Sequence, residues 1–252
     1  MIEVKKLTKK YQQKVIVNEV SFHIPQGKIT ALIGPNGAGK STVLSLISRL
    51  VDRDDGEIWI KNKALNDWSS DELAKELSIL MQSTQIEMKI TVRELVAFGR
   101  FPYSRGHLTP EDEKQIEQAL AYMGLESFEH RYLDQLSGGE RQRAFIAMTI
   151  AQNTDYILLD EPLNNLDMKH SVEIMKIIRK LADELGKTIV LVIHDINFAA
   201  HYADYIIAMK HGQLFQKGEA NDIIKKEVLE ELYELPFQIE SFGGKSLCIY
   251  YE

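Results

Sequence analysis

Short apolar runs alternate along the chain with longer segments in which apolar residues recur every three or four positions. The runs Tyr156–Leu159 and Thr188–Ile193 are almost continuously apolar, which is typical of strands covered on both faces of a parallel sheet. Between them, Met168–Leu185 has the apolar period of a helix, and Gly186 is placed to end it. This alternation predicts an α/β fold with a largely parallel sheet.

Weaker patterns extend this scheme towards both ends of the chain. Lys28–Ile33 is a further apolar strand, and Lys40–Leu50 after it has helical periodicity. The remaining patterns predict two more strands, at Gly56–Ile60 and Ser78–Met81, and a small antiparallel layer of Ile2–Lys6 with Val20–Ile24. They also predict a hairpin at Asp204–Lys217 and a terminal helix at Asn221–Leu235.

The middle of the chain has a different pattern. No strand is predicted over 83–135, whereas helix starts recur there. Thr91 begins a capping-box pattern, and Thr109 precedes a proline at a first helical position. We therefore expect residues 1–252 to form one domain, in which a helical subdomain of about 83–150 is inserted between two halves of one sheet.

Composition and charge exclude several classes of protein. Of 252 residues, 44% are hydrophobic and 27% are charged, which is close to the soluble globular average. The net charge of −7 disfavours broad non-specific binding to nucleic acid or anionic lipid. The single cysteine, Cys248, excludes an internal disulfide and a Cys-based zinc cluster. The chain has no run of ~18 apolar residues and no secretory signal pattern. We therefore expect a cytosolic protein that reaches a membrane only through a partner.

A glycine-rich loop lies between the strand Lys28–Ile33 and the helix after it. The loop satisfies the pattern G-x-x-x-x-G-K-[ST] in the strand–loop–helix context of a phosphate-binding loop. Its glycines let backbone N–H groups turn towards phosphate oxygens, and the helix N-terminus adds a positive dipole. Lys40 would reach the β- and γ-phosphates, and Ser41 would offer a hydroxyl to Mg²⁺. The alternative is a glycine-rich turn without a ligand. The candidate residues are Gly34, Pro35, Asn36, Gly37, Ala38, Gly39, Lys40 and Ser41.

Polar side chains follow three of the predicted strands, and ligands of open parallel sheets bind at that end. Asp160 is placed to hold Mg²⁺, and Glu161 to orient and deprotonate the water that attacks a γ-phosphate. The alternative for this pair is an acidic loop edge that caps the next helix. His194 would approach the γ-phosphate, and Gln82 would sense Mg²⁺ or the water. Their alternatives are a structural histidine and an ordinary polar loop residue.

A second candidate phosphate-binding helix start occurs at Leu136–Glu140, before the amphipathic segment Arg141–Ala151. The alternative is a plain capped helix. If this start lies on the helical insertion, away from the first loop, both cannot close on one γ-phosphate. A head-to-tail pair of chains solves this geometry, because the Ser137 end of each chain then covers the loop of the other, with two ATP molecules in the interface.

These motifs together resemble the ATP-binding cassette (ABC) ATPases, and the resemblance covers nearly the whole chain. It implies a Walker A loop at 34–42, a switch residue at His194 and a tyrosine, Tyr11, that stacks on adenine. For Tyr11 alone, a half-buried surface position is the alternative. Leu163, Asn164 and Asn165 depart from the Thr-Ser-Ala of many relatives. The remaining implied residues are Thr42 in the Walker A loop, Asp160 in Walker B, the catalytic Glu161, the Q-loop Gln82, the signature residues Ser137, Gly138, Gly139 and Glu140, and the D-loop Asp167.

The resemblance also implies the fold and the partners. The expected fold is a P-loop NTPase core with a mainly parallel sheet, an antiparallel β edge subdomain and the inserted helical subdomain. The implied cofactors are ATP and Mg²⁺. The implied partners are a second copy of the chain, two integral-membrane permease subunits and, indirectly, an extracytoplasmic substrate-binding protein, with no nucleic acid. Ser83–Ile90 would receive a permease helix, or would be a plain surface loop. The expected location is the cytoplasmic face of the cell membrane.

One stretch indicates the type of transport. Leu95–Tyr103, followed by Thr109–Asp112, is similar to ATPases of importers for iron–siderophores, vitamin B12 and haem. We favour a ferric siderophore of a catecholate type such as petrobactin, with vitamin B12 or haem as alternatives. Arg100 in this stretch either helps to build a helix of the inserted subdomain, which would move as one unit, or is a solvated charge. A soluble ABC ATPase acting on DNA would need coiled-coil arms, and a ribosome-associated factor two cassettes. A non-cassette P-loop kinase or GTPase would lack Leu136–Glu140.

Overall fold

Contacts along the chain divide it into two structural units in the computed structural model. The first unit combines Met1–Trp68 with Thr188–Glu252, and the second is Ser69–Lys187. The expected helical subdomain of about 83–150 falls inside the second unit, and its separate identity stays a prediction. The residues that the structure describes are 1–82, 89–164 and 166–251.

Strands and helices alternate along the chain as the sequence pattern predicts. The strands are β1 (Ile2–Tyr11), β2 (Lys14–Ile24), β3 (Ile29–Ile33), β4 (Asp55–Ile60), β5 (Lys63–Ala64), β6 (Leu77–Leu80), β7 (Tyr156–Asp160), β8 (Thr188–Val192), β9 (Tyr205–Lys210), β10 (Gln213–Glu219), β11 (Gln238–Phe242) and β12 (Lys245–Ile249). The helices are α1 (Lys40–Ile47), α2 (Ser70–Glu76), α3 (Val92–Phe98), α4 (Phe101–Ser104), α5 (Pro110–Tyr122), α6 (Gly138–Ala151), α7 (Met168–Leu185), α8 (Ile196–Tyr202), α9 (Ala220–Ile223) and α10 (Lys226–Tyr233). Among the residues described, no helix combines the length and the apolar character that crossing a membrane requires.

The predicted antiparallel layer is present in the first unit, with longer strands than the sequence pattern predicts. β1 pairs with β2 on one side and with β4 on the other, and Ile2 lies opposite Ile24 and Ile60. Lys6 and Glu19 have positive φ angles of 47° and 50°, and the register between β1 and β2 shifts along the pair. A bulge of this kind interrupts the alternation of buried and exposed residues. The strict alternation in β1 therefore ends near Lys6, although the strand continues.

The parallel strands of the first unit are arranged around β3. This strand pairs in parallel with β8 and with β9, and β10 is the antiparallel neighbour of β9. Every residue of β3 and β8 is buried, as their continuous apolar runs predict. The β9–β10 hairpin turns at His211 and Gly212, inside the predicted segment. The chain leaves the carboxyl end of β3 through the glycine-rich loop and enters α1.

The second unit contains a parallel strand pair and most of the long helices. β6 pairs with β7, with Leu80 opposite Leu159, and α6 packs against α3 and α5. α3 and α5 begin at the predicted N-caps Thr91 and Thr109. The capping box at Thr91 was predicted, and Thr109 forms one as well. The bounds of α7 are those predicted from its apolar period, and Gly186 ends it in the left-handed conformation.

Arg100 is a buried residue of the second unit, so the alternative of a solvated charge is wrong. Its guanidinium is 2.9 Å from the Asp112 carboxylate, and the two side chains are only 6% and 4% exposed. It also donates to the carbonyl oxygen of Ala151 at the end of α6 and lies over the ring of Tyr103. The side chain thus ties the starts of α4 and α5 to the end of α6.

The predicted single terminal helix over Asn221–Leu235 is wrong. Two short helices, α9 and α10, occupy this region, and the chain turns between them at Ile224. A hairpin of β11 and β12 then follows, which the sequence pattern missed because most of its residues are exposed. The signal that was present is Gly243-Gly244 between two short strands, since both residues have the positive φ angles of a tight hairpin turn.

Candidate functional site

The glycine-rich loop of the first unit is built by the close approach of two backbone segments. Gly34 follows β3 with a φ angle of 136°, and a Cβ atom at this position would lie 2.0 Å from the carbonyl oxygen of Met209 on β9. No other residue type fits there, because both the conformation and the space require glycine. At the other end of the loop, Gly39 is the N-cap of α1 and has no side chain to cover the helix N-terminus. The N-terminus of α1 therefore presents backbone N–H groups that no N-cap side chain covers.

Lys40 is already oriented by the loop that precedes it. Its Nζ atom donates to the carbonyl oxygens of Gly34 at 2.8 Å and of Pro35 at 3.0 Å, and the residue is only 5% exposed. Asn36 and Gly37, between those carbonyls and the helix, are exposed. The arrangement places a cationic group and a helix N-terminus in one loop, which is the chemistry that binds a phosphate.

A tyrosine far away in the sequence supports this loop. The backbone N–H of Gly34 donates to the Tyr233 hydroxyl at 3.2 Å, and Tyr233 is the last residue of α10. Burial raises the pKa of Tyr233 to about 12, so the hydroxyl stays neutral at physiological pH. Sequence reasoning missed this residue, and no local signal marks it, because 199 positions separate it from Gly34.

The two remaining predicted residues of the first unit lie at strand ends. Tyr11 is the last residue of β1 and is 49% exposed, with the Lys9 ammonium 5.3 Å from its ring centre. His194 follows β8 and is exposed. His194 lies after its strand as the sequence predicts, whereas Tyr11 lies beyond Lys6, where the predicted strand ended. The roles on adenine and on the γ-phosphate stay predictions.

The second unit brings together Gln82, Asp160 and Glu161. Asp160 is the last residue of β7 and is buried. Glu161 follows it with a φ angle of 51°. The side-chain amide of Gln82 donates to Oε2 of Glu161 at 2.5 Å, and the amide of Asn164 donates to the same oxygen. Sequence reasoning predicted Gln82 at this strand end, for Mg²⁺ or the attacking water, but it predicted neither the hydrogen bond to Glu161 nor the contact of Asn164.

The predicted signature residues form the N-terminus of α6. Ser137 is the N-cap, its hydroxyl accepts from the backbone N–H of Glu140 at 3.3 Å, and the Glu140 carboxylate accepts from the Ser137 backbone N–H at 2.8 Å. That backbone hydrogen bond is the main cause that lowers the pKa of Glu140. Ser137 and Gly138 are exposed. The start of this helix is thus capped by its own residues and accessible from outside.

The signature helix is hydrogen-bonded to the loop after Glu161 and lies close to it. The side-chain amide of Gln142 donates to the carbonyl oxygen of Pro162 at 3.1 Å. A Cβ atom at Gly139 would lie 3.4 Å from the Leu166 side chain. Asp167 then caps α7 by accepting from the His170 backbone N–H at 2.8 Å, the main cause that lowers the Asp167 pKa. The signature and D-loop residues predicted separately from the sequence are therefore neighbours.

The predicted metal ligands are all oxygen donors, which suit a magnesium ion better than a softer metal. Within 1–82, 89–164 and 166–251, no three His, Cys, Asp or Glu side chains are grouped to hold a metal. The predicted ligands Ser41, Gln82 and Asp160 offer a hydroxyl, an amide oxygen and a carboxylate, which suit Mg²⁺ shared with phosphate oxygens.

Comparisons with known proteins agree with these motifs. The family model described as ABC transporter matches residues 17–164. The chain is 56% identical over 251 residues to the petrobactin import ATP-binding protein YclP of Bacillus subtilis (strain 168), covering 100% of both chains. It is 48% identical over 239 residues to the petrobactin import ATP-binding protein FatE of Bacillus anthracis, covering 95% of this chain and 96% of the relative.

A solved structure supports both the fold and the chemistry. The post-hydrolysis dimer of the ATP-binding cassette MJ0796, bound to ADP and Pi, is 35% identical and superposes with a TM-score of 0.78, covering 87% of this chain and 99% of that one. The predicted fold class, an α/β P-loop core with an antiparallel edge and inserted helices, is confirmed by this similarity, as is the predicted ATPase class. The chain belongs to the ABC transporter family, as an ATP-hydrolysing cassette.

Proposed function

We propose that this chain is the ATP-binding subunit of an importer for a ferric siderophore. The observation that carries the proposal is the 56% identity, over the whole chain, to a petrobactin import ATP-binding protein. The Leu95–Tyr103 stretch, which is similar to ATPases of importers for iron–siderophores, vitamin B12 and haem, supports the importer class. In this function, binding and hydrolysis of ATP by a dimer drive uptake through separate permease subunits.

The nucleotide is bound by the loop of the first unit. The N–H groups from Gly34 to Thr42 receive the phosphates, and Lys40 exchanges its contacts with the loop carbonyls for the β- and γ-phosphate oxygens. Tyr11 stacks on adenine, for which its half-exposed ring is suited. The contacts of Lys40 support this assignment, because its buried ammonium lies against the loop that would surround the phosphates.

Magnesium fits the oxygen donors of the chain. Asp160 is a carboxylate with 1% exposure at the end of a buried strand, where a charge is costly unless it is used. The amide nitrogen of Gln82 bonds to Glu161, so its carbonyl oxygen is the atom suited to a metal. Ser41 adds a hydroxyl. When bound, Mg²⁺ would neutralise charge on the β- and γ-phosphates.

Glu161 and His194 act on the attacking water and the γ-phosphate. The water oxygen bonds to the γ-phosphorus, the bond to the β,γ-bridging oxygen breaks, and ADP and inorganic phosphate result. Glu161 accepts the water proton. His194 donates a hydrogen bond to the γ-phosphate, for which its exposed position after β8 is suited.

A head-to-tail dimer completes each site. Ser137–Glu140 of one chain covers the phosphate loop of its partner, with an ATP molecule in each of the two sites, and Asp167 lies at the same interface. The exposed N-terminus of α6 supports this arrangement, since its backbone N–H groups and dipole suit a phosphate. To shift the dimer from mostly open to mostly closed, ATP must bind the closed state more favourably than the open state by roughly 5 kcal/mol. Two nucleotides that each contact both chains can supply this difference.

The subunit works at the cytoplasmic face of the cell membrane as a peripheral protein. Its partners are two integral-membrane permease subunits and, indirectly, an extracytoplasmic binding protein, and nucleic acid is not among them. The predicted docking segment Ser83–Ile90 lies, apart from Lys89 and Ile90, outside the described residues. The net charge of −7 supports attachment through protein partners over attachment to anionic lipid.

Uptake of labelled iron tests the function directly. Cells that lack this protein should lose uptake of ⁵⁵Fe–petrobactin and keep uptake of ⁵⁵Fe–hydroxamates, and the parent gene should restore the loss. Lys40→Ala should fail to restore it, whereas Lys176→Ala, which changes an exposed lysine of α7, should restore it. Unchanged uptake of ferric petrobactin would contradict the proposed cargo. In that case, loss of vitamin B12 or haem uptake would assign another importer, and no transport defect at all would point to a soluble ABC ATPase.

A further inference from the structure

Two side-chain amides converge on one oxygen of the Glu161 carboxylate. Gln82 donates to Oε2 from the end of a neighbouring strand, at 2.5 Å, and Asn164 donates to the same atom from the loop that follows Glu161. A carboxylate that accepts two hydrogen bonds on one oxygen is held in one orientation more firmly than a solvated carboxylate. The two donors differ in how firmly each is itself held.

Asn164 is held to Glu161 by the backbone as well as by the side chain. Its backbone N–H donates to the carbonyl oxygen of Glu161 at 3.2 Å, which closes the turn between them. The carbonyl of Pro162, inside this turn, accepts from Gln142 on α6 at 3.1 Å. Asn164 is half-buried. The turn and the signature helix therefore fix the position from which the Asn164 amide reaches the carboxylate.

Among the residues that the structure describes, Gln82 makes no comparable backbone contact with the turn, and it has a second proposed task. It is exposed, and its carbonyl oxygen is the one proposed to meet the metal. Its amide therefore reaches Glu161 from an exposed side chain, and it is the less firmly held of the two donors. A reacting group must be held within about 0.5 Å and 10–20° of its productive geometry to work well. The Asn164 amide is therefore the donor that decides the orientation of the Glu161 carboxylate.

We propose that Asn164 is a positioning residue for ATP hydrolysis, which holds Oε2 of Glu161 so that the carboxylate keeps its orientation towards the attacking water. The inference rests on the proposed function of Glu161 as the general base. It assigns a role to Asn164, one of the positions where this chain departs from the Thr-Ser-Ala of many relatives. A serine at position 164 has a shorter side chain, so its hydroxyl would stop short of the point that the asparagine amide reaches.

Three variants test the role of this amide. Asn164→Ala removes the donor, and Asn164→Asp replaces it by a carboxylate of nearly the same size that repels Glu161. We expect kcat for ATP hydrolysis to fall about tenfold in Asn164→Ala, which is the loss typical of one hydrogen bond to a charged group. In Asn164→Asp, kcat should fall by more than this, because the new carboxylate repels Glu161. The KM for ATP and the affinity for a fluorescent ATP analogue should stay unchanged. Asn164→Ser should behave like Asn164→Ala.

A double-variant cycle separates positioning from a general structural effect. In Glu161→Gln the base is absent, so adding Asn164→Ala should leave the residual single-turnover hydrolysis rate unchanged. If Asn164→Ala lowers that residual rate by the same factor as in the parent, or leaves the parent kcat unchanged, the positioning role is wrong. Near-parental hydrolysis by Glu161→Gln alone would instead overturn the proposed base. Nucleotide binding reports whether each variant folds, and Asn164→Asp conserves the side-chain volume.

Discussion

The buried ion pair between Arg100 and Asp112 allows a sharp test of how the second unit is held together. The Arg100 guanidinium lies 2.9 Å from the Asp112 carboxylate, with 6% and 4% of the two side chains exposed. Asp112 also accepts from the backbone N–H and the hydroxyl of Thr109, at 2.9 and 2.7 Å. The proposed change is Asp112→Ala, which leaves the guanidinium buried without its counter-charge.

The expected loss of stability follows from burial. Removing one partner of a buried ion pair costs about 3–5 kcal/mol, because the remaining charge stays in a poorly solvated place. About 1 kcal/mol of this would come from the capping box that Asp112 shares with Thr109. The double variant Arg100→Met, Asp112→Ala should recover part of the loss, since it leaves no unpaired buried charge.

The chain offers a matched control with the same residue types. Arg105 and Asp71 are 2.7 Å apart, but their side chains are 76% and 71% exposed. Asp71→Ala should therefore cost no more than about 1 kcal/mol. Urea unfolding of the purified subunit, followed by circular dichroism, gives the free energy of unfolding of each variant. If Asp112→Ala and Asp71→Ala lose the same free energy within about 0.5 kcal/mol, the reasoning from burial is refuted.

Three further predictions concern pH, the phosphate loop and the dimer. Burial alone would raise the pKa of Asp112, but hydrogen bonds from Thr109 and Arg100 lower the pKa below its usual value of 3.8. The stability that the charge of Asp112 contributes is therefore complete above pH 3.8, and it is lost as the pH falls through the lowered pKa. The stability difference between the parent and Asp112→Ala should accordingly shrink in acid unfolding, and a constant difference would contradict this. Tyr233→Phe removes the acceptor of the Gly34 N–H and should weaken binding of a fluorescent ATP analogue about fivefold, for about 1 kcal/mol. Tyr250→Phe is its control, and equal affinities would argue against the support role. Glu161→Gln should retain ATP and accumulate a closed dimer by light scattering, and a monomer at saturating ATP and Mg²⁺ would speak against the shared sites.

Local physics made several features of this protein predictable from sequence. The bounds of α7 follow from its apolar period and from Gly186, and the starts of α3 and α5 follow from the capping residues Thr91 and Thr109. In these helices the interacting groups lie within a few positions of one another. The glycine-rich loop was recognisable from the spacing of its own residues, although the need for glycine at position 34 also comes from the distant Met209.

Predictions failed where the local pattern was weak or interrupted. β1 continues to Tyr11, beyond the predicted end at Lys6. The prediction ended too early because a bulge interrupts the alternation of buried and exposed residues. The β11–β12 hairpin has little buried surface, so it lacks the alternation that identifies a strand. The helical period around Asn221–Leu235 is real, but the break at Ile224 divides it into α9 and α10.

The amino-acid sequence by itself determined the alternation of the main strands and helices before the C-terminal region, the phosphate loop and the family, since these depend on periodicity and on motifs of adjacent residues. Only the tertiary structure decided that Arg100 is buried against Asp112, that Tyr233 supports Gly34, and that Gln82 and Asn164 share one oxygen of Glu161. Most of these contacts join residues from separate segments, and the exception, Asn164 with Glu161, depends on how the turn between them folds. Burial and hydrogen-bond geometry arise only when the segments pack, so no local pattern could encode them.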